Sequence, residues 1–152
     1  MIALCPPELK ARVSEYLHER FGLDSVILAP YELYAGPNGR ILLGPKTDFD
    51  PALVDTAGIL IARIQRTVKP STHLFQMFGH HVTANIVRLD RENVPRYCRG
   101  EHFALSPDEI GDSTRGFVMV AFGDLTLGCG LLKDGQLENQ LPKQYRLVLD
   151  RY

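Results

Sequence analysis

Apolar residues with helical spacing open the chain. The stripe consists of Leu9, Val13, Tyr16, Leu17 and Phe21, which follow the pattern i, i+4, i+7, i+8 and i+12. Such a pattern places all five side chains on one face of an α-helix. Proline is tolerated in a first helical turn and glycine commonly follows a last one, so we predict a helix from Pro7 that ends at Gly22.

The next forty residues switch to patterns typical of strands. Residues 25–28 and 32–34 are predicted to be extended. Gly36-Pro37-Asn38-Gly39 has the composition of a turn. The apolar run Arg40–Gly44 then predicts a strand that returns beside the preceding one.

Proline and aspartate mark two further helix starts in the first half of the chain. Asp50 can cap a helix that begins at Pro51 and covers residues 51–56. The β-branched run 59–64 predicts a strand, although one continuous helix reaching Gln65 is an alternative. Pro70 is expected to begin a short helix over residues 71–78, which Gly79 ends.

Beyond Gly79 the pattern predicts mostly strands and tight turns. The expected elements are a strand over 82–89, a short helix over 91–98 capped by Asp90, strands over 116–122 and 125–133, tight turns at Gly123-Asp124 and Asp134-Gly135, and a closing strand over 144–149. We therefore predict an α+β fold. An α/β module over residues 1–79 would precede a small β-barrel over residues 80–152.

Composition places the chain among ordinary folded proteins. It has 152 residues, of which 45% are hydrophobic and 23% charged, so it can bury a sizeable core. No apolar run approaches the ~18 residues of a membrane span, and the first residues lack the pattern of a signal peptide. Three widely spaced cysteines, Cys5, Cys98 and Cys129, suggest reduced thiols. We expect a cytoplasmic location and no membrane partner.

Net charge restricts how the chain could bind a polyanion. Seventeen Lys and Arg face eighteen Asp and Glu, which gives −1. The balance is even in both halves, with eight basic and eight acidic residues in 1–69 and nine basic and ten acidic in 70–152. A general nucleic-acid binder carries a basic excess. Any RNA site must therefore be a local patch.

Four motifs in the second half occur in an order that resembles a known RNA-binding domain. They are Arg96-Tyr97-Cys98-Arg99-Gly100-Glu101, Gly116-Phe117-Val118, Leu127-Gly128-Cys129-Gly130 and the ending Asn139-Gln140-Leu141-Pro142-Lys143-Gln144-Tyr145-Arg146. Their order is similar to the PUA domain at the C-terminus of RsmF/Sun-type RNA cytosine-5 methyltransferases, with Cys98 where that family has leucine. The likeness extends over residues ~58–147 and includes Pro70-Ser71 and His73.

The resemblance implies RNA binding without the family's chemistry. The chain has no glycine fingerprint of a nucleotide-binding Rossmann domain, and Cys5 precedes a proline rather than following one. The plan of an α/β module before a PUA barrel is also similar to Nip-type ribosome-biogenesis proteins. The implied function is noncatalytic binding of structured RNA, either rRNA or tRNA. A separate RNA-modifying enzyme or a ribosome-assembly factor would be the protein partner, and no cofactor is expected.

Arginines beside a glycine are the main candidates for RNA contact. Arg96 and Arg99 can present planar forks to phosphate, and Gly100 would let an RNA backbone approach. The alternative is that both arginines stabilise a helix end or pair with Glu101. Tyr97 could stack a base or lie in the core. The complete predicted set of RNA-contacting residues is Arg96, Tyr97, Arg99, Gly100, Arg115, Lys133, Asn139, Lys143 and Arg146.

Other chemistries have less support in the sequence. His80 and His81 are adjacent, would point to opposite faces of a strand, and have no cysteine nearby to complete a zinc site. Cys98 has His102 four residues on, but a packed thiol is the simpler interpretation. Two alternatives to RNA binding stay open: a protein-interaction adaptor on the same scaffold, favoured by the neutral charge, and a small enzyme with a site around His80, His81 and Glu101.

Overall fold

The computed structural model describes residues 2–46, 48, 50–53 and 58–147. The chain divides into two compact units, Met1–Leu74 and Phe75–Tyr152. The predicted boundary after residue 79 falls shortly after this division. Each unit has its own five-stranded sheet.

The first unit packs one long helix with an antiparallel sheet. Helix α1 spans Pro7–Phe21, and Gly22 ends it in the left-handed conformation (φ 69°), as predicted. The helix buries Val13, Leu17 and Phe21. The strands, which pair in chain order, are β1 (Ala3–Leu4), β2 (Tyr31–Ala35), β3 (Arg40–Pro45), β4 (Ile59–Ile64) and β5 (Val68–Pro70).

In the first unit, one predicted strand is wrong, one alternative helix is excluded, and one predicted helix lies partly outside the described residues. Residues 25–28 form a 3₁₀ helix rather than a strand, because the Asp24 side chain accepts a hydrogen bond from the N–H of Val26. Residues 59–64 are a strand, so the continuous-helix alternative is wrong. Residues 51–53 form a 3₁₀ turn, whereas the predicted helix beyond them, at residues 54–56, lies outside the described residues.

The second unit is built on a curled half-barrel. Its strands are β6 (Ile86–Arg88), β7 (Phe103–Ala104), β8 (Gly116–Phe122), β9 (Leu125–Lys133) and β10 (Gln136–Asn139). They are ordered β6-β8-β9-β10-β7, and β6 runs parallel to β8. Helix α2 (Thr72–Phe78) crosses the division between the units, while α3 (Asn93–Cys98) and α4 (Pro107–Ile110) belong to the second.

The core of the half-barrel consists of side chains from its strands and from α3. It contains the buried residues Val87, Leu89, Tyr97, Phe103, Val118, Val120, Leu132, Leu137 and Leu141. The hairpins that organise it are those predicted from their turns. Asp134 and Gly135 both have positive φ, 53° and 74°, the conformation of a two-residue hairpin turn that matches the twist of the strands. The predicted α+β fold class is therefore confirmed.

Three local predictions in this unit are wrong. Residues 79–81 form a 3₁₀ turn and the strand predicted over 82–89 is limited to β6. Asp90 does not cap α3 with its side chain; α3 follows Glu92 and has no side-chain cap. In place of the predicted closing strand over 144–149, residues 143–145 form a 3₁₀ turn, and residues 148–149 lie outside the described part. In the first unit, Pro70 ends β5, and the helix predicted over residues 71–78 is α2, Thr72–Phe78.

Within the described residues, no helix is long and apolar enough to cross a membrane.

Candidate nucleic-acid interface

The end of α3 and the segment 141–147 lie against each other. The N–H of Leu147 donates to the carbonyl oxygen of Cys98 at 2.8 Å. The Nε of Arg146 donates to the carbonyl oxygen of Leu141 at 3.0 Å. The Arg146 side chain packs on Gly100 so closely that a Cβ there would stand 2.5 Å from its Cδ. Two segments about forty residues apart in sequence therefore form one surface.

Gly100 consequently has a different role from the one predicted. Its φ of 85° lies in the left-handed region that favours glycine, and the space above its Cα is occupied by Arg146. Gly100 therefore admits a side chain of the protein, rather than an RNA backbone, to this end of α3.

Arg96 and Arg99 share one carboxylate and are still partly exposed. The Nε of Arg99 lies 2.6 Å from Glu101 Oε2, and the Nε of Arg96 lies 3.7 Å from Glu101 Oε1. Their side chains are 45% and 37% exposed. The Arg96 guanidinium also stands 5.1 Å from the centre of the Phe103 ring, a favourable cation–π arrangement. The pairing with Glu101 that the sequence left open is present, and it orients both guanidiniums.

We call Arg96, Arg99, Lys143 and Arg146, with Glu101 between the first two, the arginine patch. Four cations and one carboxylate give a local charge of +3, against −1 for the whole chain. Tyr145, which was not among the predicted residues, is 47% exposed in the same turn as Lys143. The sequence signal was present, because an aromatic residue interleaved with cations is typical of single-stranded nucleic-acid sites.

Tyr97 and Asn139 lie beneath this surface and do not reach it. Tyr97 is 0% exposed, and its hydroxyl donates to the Cys129 carbonyl oxygen at 2.7 Å. Asn139 is 4% exposed; its Nδ2 donates to the carbonyl oxygens of Tyr97 and Glu101, and its Oδ1 accepts from the N–H of Leu141. Base stacking on Tyr97 and base reading by Asn139 are incompatible with this burial, so both predicted contacts are corrected to structural roles.

Lys133 and Arg115 lie in a different place from the arginine patch. They flank the paired residues Gly116 and Leu132 of β8 and β9, and both are exposed. Lys133 also borders an open groove with His102, Gln136 and Glu138. The structure thus separates the predicted RNA-contacting residues into an arginine patch, a second pair of cations and two buried supports.

A buried glutamate fixes the loop before α3. Glu109 is 2% exposed, and its carboxylate accepts hydrogen bonds from the N–H groups of Asp90 and Ser106 and from the Asn93 amide. Burial alone would raise the pKa of Glu109, but these hydrogen bonds outweigh it and hold the pKa below its ordinary value. Ser106 and Glu109 form a reciprocal capping box. The ionised carboxylate therefore ties α4 to the start of α3.

The residues considered for other chemistries are not assembled into a site. Burial raises the pKa of the Cys98 thiol, which disfavours the reactive thiolate. His80 and His81 do not point to opposite faces of a strand; they lie in the 3₁₀ turn with ring centres 4.0 Å apart. The described residues contain no group of three or more His, Cys, Asp or Glu placed to hold a metal ion.

Comparison with known proteins finds a family for residues 84–147 of the second unit. Residues 84–147 match the family model described as the methyltransferase RsmF PUA domain. Among curated proteins no match was found. The matched residues contain the half-barrel strands β6–β10, helix α3 and the arginine patch. Residues 84–147 are therefore a PUA-like domain of the RsmF type.

Proposed function

We propose that this protein binds structured RNA, either rRNA or tRNA, without catalysing a reaction on it. The RsmF-type PUA domain supports RNA as the class of partner and a methyltransferase-related context. The role we propose is that of an accessory factor, which brings RNA to a separate modifying enzyme or to an assembling ribosome in the cytoplasm.

The observation that carries the proposal is the convergence of cations at the arginine patch. Arg96 lies in α3 and Arg99 directly follows it, and Lys143 and Arg146 come from the segment that docks there through the Leu147–Cys98 hydrogen bond. In a chain without a basic excess, a local charge of +3 supplies the attraction that phosphate binding depends on. The fold therefore produces a charge asymmetry that is absent from the sequence average.

Recognition at this patch would depend on backbone shape and phosphate. Arginine presents a planar fork that matches two phosphate oxygens, and Glu101 orients Arg96 and Arg99 while reducing their net charge. Tyr145 offers a ring surface on which an unpaired base can stack. Affinity would be modest, because few phosphates are contacted and one carboxylate competes with them.

A protein-interaction adaptor is the second candidate, and one observation favours it. Phe122 and Leu125, which pair across the β8–β9 hairpin, are 40% and 61% exposed. Exposed neighbouring apolar side chains are typical of protein contact sites. An adaptor would lose its partner when these two residues are changed and would be indifferent to the arginine patch.

A salt titration tests the proposal. Binding of the full chain to tRNA and to rRNA fragments would be measured between about 50 and 300 mM salt, because phosphate binding weakens steeply with salt in this range. We expect affinity to fall with salt and the Arg99→Gln/Lys143→Gln variant to show a shallower slope, smaller by about one or two phosphate contacts.

Arg115→Gln/Lys133→Gln is the matched control, since it removes the same charge from another surface. If the control and the patch variant weaken binding equally, only total charge matters and the patch is not the site. Absence of binding at low salt would remove RNA recognition and leave the adaptor as the account of this fold.

A further inference from the structure

A second concave surface lies at the edge of the half-barrel opposite the arginine patch. Strand β6 forms one edge of the sheet, whereas β7, on which Arg96 packs, forms the other. Beside β6 is a groove of about 550 Å³, lined in part by Gly79, His80, Ile86, Arg88, Leu125 and Thr126. Ligand pockets fall in roughly the 300–1,000 Å³ range. No residue of this groove belongs to the arginine patch.

One wall of the groove comes from outside the segment that matches the PUA family. Gly79, His80 and Val82 precede the matched residues 84–147, whereas Arg88 and the β8–β9 hairpin lie within them. A Cβ on Gly79 would overlap Thr126 Oγ1 and stand 3.1 Å from Met119 Sδ. Glycine at this position allows the turn that carries His80 to pack closely against β9.

Arg88 supplies an oriented positive charge in the groove. Its Nη1 donates to the carbonyl oxygen of Gly123 at 2.7 Å, and the residue is exposed. Among the described residues, the two ion pairs both involve Glu101, so Arg88 is not paired with a carboxylate. This holds also for Asp124, which borders the same groove. One guanidinium N–H is used to hold the side chain in place, and the others remain for an anion.

The groove has a mixed polar and apolar lining. Met119 and Ala121 are only 4% and 2% exposed and lie beneath its surface, whereas Leu125, at 61% exposed, presents an apolar side chain to it. The pairing of β8 with β9 shifts register between Val120 and Ala121. Such bulges redirect side chains and are frequent beside binding sites. His80 borders the groove and supplies an aromatic ring, whose centre lies 4.0 Å from that of the His81 ring.

We propose that this groove binds one unpaired nucleotide of RNA, with its base against Leu125 and His80 and its phosphate on Arg88. The inference rests on the proposed function, because it adds a base-binding site to an RNA-binding domain. A flat ring joined to an anion matches an exposed apolar side chain and an imidazole beside one guanidinium. A peptide would add to the sheet along the β6 edge, and that strand has three residues, too few for strong strand pairing.

The test is an NMR titration of the full chain with uridine and adenosine 5′-monophosphates and with a four-nucleotide single-stranded RNA. We expect the amide signals of Gly79, Arg88, Gly123 and Thr126 to shift. Arg88→Gln should weaken binding by about tenfold, the loss of one charge-assisted contact. Arg91→Gln is the matched control, since Arg91 is an exposed arginine outside the groove, and it should bind as the wild type does.

The outcomes separate this inference from the proposed function. Shifts confined to residues 96–101 and 141–147, or equal binding by wild type and Arg88→Gln, would overturn the groove site and leave RNA binding at the arginine patch intact. A short apolar peptide with a free carboxylate that shifts the groove signals where nucleotides do not would also overturn it. Groove shifts together with salt-dependent binding of structured RNA, sensitive to Arg99→Gln/Lys143→Gln, would support both.

Discussion

At the scale of single residues, the motif that resembles the PUA family serves two purposes. Lys143, Arg96 and Arg99 are exposed and provide charge, whereas Tyr97 and Asn139 are buried and hold the surface in place. Sequence alone cannot separate these roles, because a polar side chain in a motif can point either way. Asn139 shows this most clearly, since its amide joins α3, Glu101 and Leu141.

Removal of the Asn139 side chain tests this structural role. Asn139→Ala leaves the carbonyl oxygens of Tyr97 and Glu101 and the N–H of Leu141 without this partner, and buried unsatisfied groups cost about 1–3 kcal/mol each. We expect the free energy of unfolding to fall by about 2–4 kcal/mol, measured by urea denaturation. Gln144→Ala, at an exposed position, should change it little; equal effects would show that the Asn139 network contributes no stability.

Glu109 gives a prediction about pH. Because its pKa is lowered in the folded protein, the carboxylate stabilises the fold at pH values above the pKa of the unfolded chain, about 4.3. This contribution is lost as the pH falls through the lower pKa of the folded state. Glu109→Gln should therefore be least stable relative to wild type near neutral pH, by about 1–3 kcal/mol, and the difference should shrink below about pH 4.

Urea denaturation of wild type and Glu109→Gln measures this difference. It would be carried out at several pH values between about 3 and 7, which include the range in which carboxylates titrate. Glu92→Gln, an exposed acid close to the same loop, is the control and should show a small, nearly constant difference. A constant gap for Glu109→Gln across the range would mean that ionisation of Glu109 does not stabilise the loop.

At the scale of elements, turn chemistry was predictable and docking was not. The turns at Gly123-Asp124 and Asp134-Gly135 join β8, β9 and β10 as expected, because positive φ at the right position is a local property. A strand was predicted over 144–149, whereas residues 143–145 form a 3₁₀ turn. Its conformation depends on contacts with α3, such as Leu147 to Cys98, that no local pattern records.

The same limit applies to the candidate site. Arg96, Arg99, Lys143 and Arg146 were all chosen from the sequence, and the structure brings them together. Pairing of Arg96 and Arg99 with Glu101 was predicted as an alternative to RNA contact. The structure shows that both arginines pair with Glu101 and still remain partly exposed. Arg88 was not chosen, since its groove depends on the parallel pairing of β6 with β8 and on the close packing of Gly79.

A pair of glycine variants tests the docking of the C-terminal segment. Gly100 and Gly135 both have positive φ, 85° and 74°, but a Cβ meets Arg146 only at Gly100 and nothing within 4 Å at Gly135. Both alanine variants should lose about 1–3 kcal/mol of stability to backbone strain. Only Gly100→Ala should also weaken RNA binding, because it displaces Arg146; equal RNA affinity in the two variants would argue against Arg146 as a contact.

At the scale of the whole molecule, the charge of −1 and the charge of the patch describe different properties. Net charge governs long-range attraction to polyanions, whereas a patch acts within about one Debye length, roughly 10 Å at 0.1 M salt. The account therefore predicts binding that is local, modest and sensitive to single charges. The charge of Glu101 is the most informative one to remove, because this carboxylate pairs with both Arg96 and Arg99.

The affinity of Glu101→Gln for structured RNA, measured across a salt series beside wild type and Glu92→Gln, tests the central claim most directly. Removal of the shared carboxylate frees both arginines for phosphate, so we expect binding about two- to fivefold tighter at low salt, with the gain disappearing as salt screens the patch. Glu92→Gln should change affinity less. Urea denaturation would show that Glu101→Gln is as stable as Glu92→Gln. With both variants folded, unchanged or weaker binding by Glu101→Gln would contradict RNA recognition at the arginine patch.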